Sequence, residues 1–282
     1  MIYGLIAMLG WGIGNFSAAQ LSRKIGALRA MLWNTIGVFT LMVLALPFLK
    51  QGFLLASWRD FFLLVTGGLL LTIGGVSYYK GVSLGKVSLV APLAASWPMI
   101  IVLIALSSGK EIVSITNGLG VSLIVIGTIA AALKTRSSEK VFRLSDPGIG
   151  YALVALFAWS GAFYLFAITL TSSAWLPANV FFMLWASIFT YLYSKLRQVK
   201  IPFPPTRTAI QYILLSTVSA TIASLAYSLG VRSSQTSLTA AAANANPAIT
   251  VLLAWIFLKE WLTKRQLGGI IAVMSGLILL AV

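Results

Sequence analysis

The chain has no cysteine and no histidine, and it has only five acidic residues among 282. Without cysteine there can be no disulfides, and without either residue the usual thiolate and imidazole metal sites are excluded. Charged residues make up 9% of the chain, whereas soluble globular domains average roughly 25%. Hydrophobic residues make up 59%. We therefore expect lipid to cover most of the protein surface.

The few acids also limit the chemistry. All five, Asp60, Glu111, Glu139, Asp146 and Glu260, lie at the ends of apolar runs or between them. No carboxylate is predicted in the middle of the membrane, so exchange or facilitated transport is favoured over proton antiport at a core acid. A membrane-embedded enzyme would need a nucleophile with a base, a metal or paired carboxylates. We expect no enzymatic activity, no cofactor and no metal.

The basic residues outnumber the acids and give a net charge of +15. They lie in short gaps between apolar runs, which favours topology signals and headgroup anchors over nucleic-acid binding. Of the 20 lysines and arginines, 16 fall in alternate gaps that belong to one side of the membrane. The positive-inside rule predicts that side to be cytoplasmic, and it places both termini outside the cytoplasm.

Uncharged runs long enough to cross a bilayer as helices predict ten spans. Continuous apolar runs favour helices over barrel strands, which alternate. The longest polar gap, residues 134–146, divides the chain into two sets of five. The predicted spans are residues 2–21, 30–49, 61–79, 87–107, 112–133, 147–170, 176–194, 208–231, 235–258 and 266–282.

The two sets of spans repeat the same pattern at a constant offset. Subtracting 149 converts residues of the second set into identical residues of the first, and the opening spans match at an offset of 148. An odd number of spans per copy predicts that the second copy is inverted in the membrane relative to the first. The matching pairs are Tyr78 with Tyr227, Gly81 with Gly230, Pro98 with Pro247, Glu111 with Glu260, Gly127 with Gly276, Tyr3 with Tyr151 and Trp11 with Trp159.

This duplicated set, with the opening stretch Gly10 to Asn15, the Lys-Glu corners and the glycine-rich last span of each copy, resembles the drug/metabolite transporter superfamily, more narrowly its EamA-type carriers. The resemblance implies an all-α membrane protein with two inverted five-helix repeats, residues 1–133 and 147–282, joined by a basic loop. It implies a monomeric or homodimeric secondary carrier in a bacterial or archaeal cell membrane. Many family members are thought to keep both termini in the cytoplasm, which the charge count opposes.

Two prolines lie near the middle of their spans, Pro98 in the fourth and Pro247 in the ninth. Proline has no N–H, so the carbonyls of Ala94 and Ala243 lose their usual helical partners. In hydrocarbon such a carbonyl must face protein, water or a ligand. The prolines are predicted helix breaks that line a central site, and the alternative is that they only kink the helices for packing.

Amides and aromatic rings cluster at the same predicted depth. Buried amides can line a cavity or bond a neighbouring helix, and the second reading is favoured for Asn34 and Asn179. The rings suit a planar apolar group or an organic cation, while the alternative is an interfacial belt, which fits Trp97 poorly. The predicted substrate-binding residues are Trp11, Asn15, Tyr78, Trp97, Trp159, Tyr227, Asn244 and Asn246.

These features predict a secondary transporter that moves a small polar or zwitterionic organic metabolite, such as an amino acid, by alternating access around a midplane cavity. The expected partners are this solute and the lipid bilayer. The alternative on the same fold is a flippase for a lipid or a lipid-linked sugar, because the basic loops could attract anionic headgroups.

Overall fold

A computed structural model describes residues 2–48, 55–84, 90, 93–94, 96–97, 100–101, 104, 114–132, 147–200, 206–233, 236–259 and 263–280. These residues form α-helices and short connections, with no strand among them, which agrees with the predicted all-α class. The helices are α1 (Ile2–Ile25), α2 (Ala27–Ala45), α3 (Trp58–Leu84), α4 (Ile115–Ala132), α5 (Pro147–Ser172), α6 (Trp175–Leu196), α7 (Arg207–Ser233), α8 (Thr236–Ala243), α9 (Asn246–Leu258) and α10 (Lys264–Leu279).

Seven of the described stretches are long and apolar enough to cross a membrane. Six lie in α1, α2, α3, α5, α6 and α7, and the seventh, Leu238–Phe257, runs through α8 and α9. The predicted ninth span is thus two helices, and most of the predicted fourth span falls outside the described residues. Large apolar side chains face outward, as lipid contact requires, among them Ile126, Phe157, Leu214, Ile222 and Met274.

The helices pack in pairs that follow the sequence repeat. We call two residues repeat mates when they occupy matching positions, at an offset of 148 for α1 and α5 and of 149 elsewhere. By this rule α1 corresponds to α5, α2 to α6, α3 to α7 and α4 to α10. The structure packs α3 along α5 and, correspondingly, α7 along α1, while α4 packs along α10. These three helix pairs are therefore preserved when the two halves are exchanged.

Glycines bring α4 and α10 into close contact and show their relative direction. A Cβ atom placed on Gly276 would lie 2.6 Å from the carbonyl oxygen of Gly120, and one placed on Gly127 would lie 2.6 Å from that of Gly269. Along α4 the order is 120 then 127, whereas along α10 the residues they meet come in the order 276 then 269. These two corresponding helices therefore run antiparallel where they cross.

The largest buried cluster of the described residues lies between α1, α3, α5, α6, α7 and α8 and contains both rings and alanines. Phe166 and Phe182 stack with ring centroids 4.7 Å apart, and Tyr227 is fully buried. Small residues such as Ala223 and Ala243 let the helix backbones approach these rings, which is how packing stabilises helix association in lipid. The fold thus encloses aromatic side chains inside the protein.

Candidate functional site

The predicted ninth span is interrupted next to its proline. Helix α8 ends at Ala243 and α9 begins at Asn246, so Pro247 occupies the first turn of a new helix, where its missing N–H costs little. The carbonyl of Ala243, which we expected the proline to leave without a helical partner, accepts a hydrogen bond from the Asn246 side-chain amide at 3.0 Å. The Ala243 carbonyl at the helix break is therefore satisfied by a side chain of the protein. Pro98 lies outside the described residues.

The same asparagine joins α9 to α1. The Asn15 side-chain amide donates to the side-chain oxygen of Asn246 at 2.9 Å, and the Thr250 hydroxyl donates to the Gly12 carbonyl at 3.0 Å. Asn246 is only 7% exposed, and the neighbouring Asn244 is 2% exposed. Asn15 is exposed, and its side-chain oxygen accepts no hydrogen bond from the described part of the chain. Asn15 therefore keeps an acceptor for another molecule.

Three aromatic rings meet around Phe163, which is not among the predicted substrate-binding residues. Trp97 stacks on Phe163 with centroids 4.5 Å apart and an interplanar angle of 16°. Trp11 and Tyr227 approach the same ring at 5.7 Å and 5.6 Å, and they lie 5.4 Å from each other. Three of the predicted residues, Trp11, Trp97 and Tyr227, are thus brought together by a fourth residue.

The repeat contains the signal that identifies Phe163. At the offset of 148, Phe163 is the repeat mate of Asn15, and at the offset of 149 Trp97 is the repeat mate of Asn246. The amide pair and the stacked ring pair are therefore equivalent contacts in the two halves. One contact is polar and the other is aromatic, so the site combines two different chemistries at related positions.

Tyr78 and Trp159, the remaining predicted aromatic residues, form a pair of their own. Their centroids lie 5.5 Å apart with an interplanar angle of 39°. The repeat mates, Tyr227 and Trp11, lie 5.4 Å apart at 38°. The structure thus builds the same tyrosine–tryptophan contact twice, and one copy adjoins Phe163.

One further polar contact fixes the aromatic side of the site, and another joins two helices. The Ser160 hydroxyl of α5 donates to the Trp97 carbonyl at 3.0 Å, which holds the backbone beside the stacked ring. Asn179 donates to the Ser228 hydroxyl and so links α6 to α7, the structural role expected for it. Within the described ranges no three histidine, cysteine, aspartate or glutamate side chains are grouped to hold a metal ion.

Comparisons with known proteins agree with this architecture. The family model of the EamA-like transporters matches residues 1–133 and again residues 146–282. An uncharacterized protein of Methanocaldococcus jannaschii is 24% identical over 133 residues, which is 47% of this chain and 96% of that protein. A solved structure, described only as the crystal structure of a protein, superposes with a TM-score of 0.82 at 17% identity, covering 99% of this chain and 94% of that one. The last similarity shows the fold alone.

Proposed function

We infer the function from one premise: this chain belongs to the EamA-like transporter family, and so it is an integral, multi-pass membrane protein that transports small solutes. We propose that the solute is a small zwitterionic or polar organic metabolite with a flat apolar part, similar to an amino acid. We propose further that the chain carries it by alternating access, with the site at the contacts between the two halves.

The proposed halves are residues 1–133 and 147–282, inverted relative to each other. The antiparallel crossing of α4 and α10 supports the inversion, because equivalent helices of parallel repeats would run in the same direction. The archaeal relative supports a half as a structural unit, since nearly its whole length aligns with 47% of this chain. Rocking of one half against the other would open the site to each side of the membrane in turn.

The proposed substrate class is supported by two unlike contacts at equivalent positions: the Asn15–Asn246 amide pair and the Phe163–Trp97 ring pair. Asn15 offers a free amide oxygen to an ammonium group, and a carboxylate could take an N–H from the same amide pair. Phe163 and Trp97 offer ring surface to a flat apolar group. A solute with a charged end and a flat end would use both contacts at once, whereas a purely apolar solute would leave the amides unused.

Transport in reconstituted vesicles tests this function. The probe is radiolabelled phenylalanine, a small zwitterion with one ring, exchanged against unlabelled phenylalanine inside the vesicles. We expect Asn15→Ala to abolish exchange while the protein still elutes as a folded species. Asn179→Ala is the control for loss of an amide from a membrane span, because Asn179 bonds Ser228 and not the Asn15–Asn246 pair. Undiminished exchange in Asn15→Ala would remove the amide pair from the site.

A thermal-shift panel extends the test to other solutes. Ligands that bind the folded state raise the unfolding temperature by mass action. Amino acids with rings should raise it more than alanine, and sugars should leave it unchanged. A shift from sugars or nucleosides alone would contradict the proposed substrate class.

A further inference from the structure

The end of α6 carries two basic side chains that lie beside aromatic rings of the preceding turn. The Lys195 Nζ atom is 5.4 Å from the centroid of the Tyr191 ring, and the Arg197 guanidinium carbon is 5.4 Å from that of Tyr193. The Arg197 Nε–H also donates to the Tyr193 hydroxyl oxygen at 3.0 Å. Two tyrosine–cation pairs are therefore formed within seven consecutive residues.

These pairs form the outer two of three neighbouring rows of side chains. Residues four apart in a helix lie in one row, and consecutive residues are about 100° apart around the axis. The middle row is apolar and exposed, since Leu192 is 49% and Leu196 81% exposed. An apolar strip that reaches the end of the helix between two cations suits a lipid with an anionic headgroup.

The cations are not needed to close the end of the helix. Basic side chains near a C-terminus can bond its last free carbonyls. Here the Arg197 backbone N–H caps the Tyr193 carbonyl, and the Val199 N–H caps the Ser194 carbonyl, both at 3.0 Å. Within the described part of the chain, the Lys195 ammonium and the terminal nitrogens of Arg197 donate to no protein acceptor. Their N–H groups are therefore left for another molecule.

The other half has apolar residues at the equivalent place. The repeat mates of Lys195 and Arg197 are Leu46 and Phe48, just past the end of α2. Because the end of α2 packs against the start of α6, this place lies on the other side of the membrane. The scaffold can therefore be built without cations here, and a requirement of the fold does not account for the two pairs.

The end of α6 lies on a basic side of the helix bundle. Since the start of α6 packs against the end of α2, the end of α6 is level with the start of α2. There Ala30 packs with Leu21 of α1 and Ala209 of α7. Asp60, the one acid within the described ranges, lies on the opposite side, where it accepts from Ser173 beside the start of α6. The exposed cations that adjoin the Ala30 cluster are Arg23, Lys24 and Arg207.

We propose that the end of α6 binds an anionic phospholipid, with its phosphate between Lys195 and Arg197 and its acyl chains along Leu192 and Leu196. A phosphate diester has acceptor oxygens for both the ammonium and the planar guanidinium. The tyrosine rings hold the two cations at the depth of the headgroups, where aromatic side chains concentrate. This lipid lies on the outer surface of the bundle and is not the transported solute, so the proposal does not depend on the substrate class.

Native mass spectrometry of the protein in neutral detergent tests this site. The wild type should retain phosphatidylglycerol, which is anionic, in preference to phosphatidylcholine, which is zwitterionic. The double variant Lys195→Gln with Arg197→Gln should weaken the first phosphatidylglycerol bound roughly 30-fold, since each basic side chain near an anionic lipid contributes about fivefold. Arg23→Gln with Lys24→Gln is the matched control, because it removes the same charge from the same side of the bundle. Equal weakening by both double variants, or equal retention of the two lipids, would overturn the proposal.

Two further measurements separate the rings and the lipid from charge alone. Tyr191→Leu with Tyr193→Leu keeps both cations and should weaken phosphatidylglycerol binding roughly fivefold, because exposed cation–ring contacts are modest. Unchanged binding in this variant would remove the rings from the site. An excess of glycerol phosphate or inorganic phosphate should leave the bound lipid in place. Displacement by either one would show a site for free phosphate and contradict a lipid site.

Discussion

The Asn15 amide donates a hydrogen bond to the Asn246 side chain across 2.9 Å, from the middle of α1 to the first residue of α9. At the equivalent place in the other half, Phe163 and Trp97 stack instead. The same pair of positions is therefore in contact in both repeats, but the side chains are amides in one repeat and aromatic rings in the other. Such a difference at a matched contact is what an asymmetric solute would require of a two-fold scaffold.

The two asparagines should differ in their effect on stability. Asn246→Ala removes both the bond to Asn15 and the cap on the Ala243 carbonyl, and a buried unpaired group costs about 1–3 kcal/mol. Asn15→Ala should cost less, because its side chain is exposed and its loss leaves one unpaired acceptor. Thermal unfolding in detergent should therefore rank wild type above Asn15→Ala above Asn246→Ala. The reverse order would show that the cap contributes little.

The aromatic ring of Phe163, and not only the size of its side chain, should contribute to binding of the solute. Phe163→Leu keeps an apolar side chain but removes ring contacts worth about 0.5–1.5 kcal/mol. If the solute stacks on this ring, KM for phenylalanine should rise roughly two- to tenfold. Phe157→Leu, on the same helix but 59% exposed on the outer surface, is the matched control and should leave KM unchanged. Equal KM values in both variants would exclude Phe163 from the solute site.

Much of the fold could be predicted from the sequence, because a chain that crosses lipid must pair its backbone polar groups internally and therefore forms long apolar helices. Uncharged runs of span length must be helices, and a constant offset between Tyr78 and Tyr227 reports equivalent positions. The two tyrosine–tryptophan contacts agree with that equivalence, since their geometry repeats within 0.1 Å and 1°. The offset therefore identifies equivalent residues of the two repeats from the sequence alone.

The details of the site were harder to predict. A phenylalanine in an apolar helix has no feature that separates it from its neighbours, so Phe163 becomes visible only as the repeat mate of Asn15. The cap on Ala243 depends on the Asn246 rotamer, which sequence does not specify. Asp60 was correctly placed at a span end, but whether a terminal acid faces water or protein depends on the corner packed against it.

Two glycines of α4 offer a matched test of the helix crossing. A Cβ on Gly127 would meet the Gly269 carbonyl oxygen at 2.6 Å and the Val273 nitrogen at 2.7 Å, so Gly127→Ala must push α10 away. Gly118, on the same helix, has nothing within 4 Å of the equivalent atom. We expect Gly127→Ala to lower the unfolding temperature clearly. Gly118→Ala should leave it unchanged or raise it slightly, since alanine favours helix by about 1 kcal/mol. Equal effects would contradict the close crossing of α4 and α10.

The absence of native cysteine makes the orientation directly measurable. The charge count predicts that the connection after α6 is cytoplasmic and the end of α7 is outside. Lys200→Cys and Ser233→Cys place single exposed thiols at these two points. A membrane-impermeant maleimide added to intact cells should label Ser233→Cys at once and Lys200→Cys only after the membrane is permeabilised. The wild type, with no thiol, gives the background. The opposite pattern would place both termini in the cytoplasm and show that loop charge does not set the orientation of this chain.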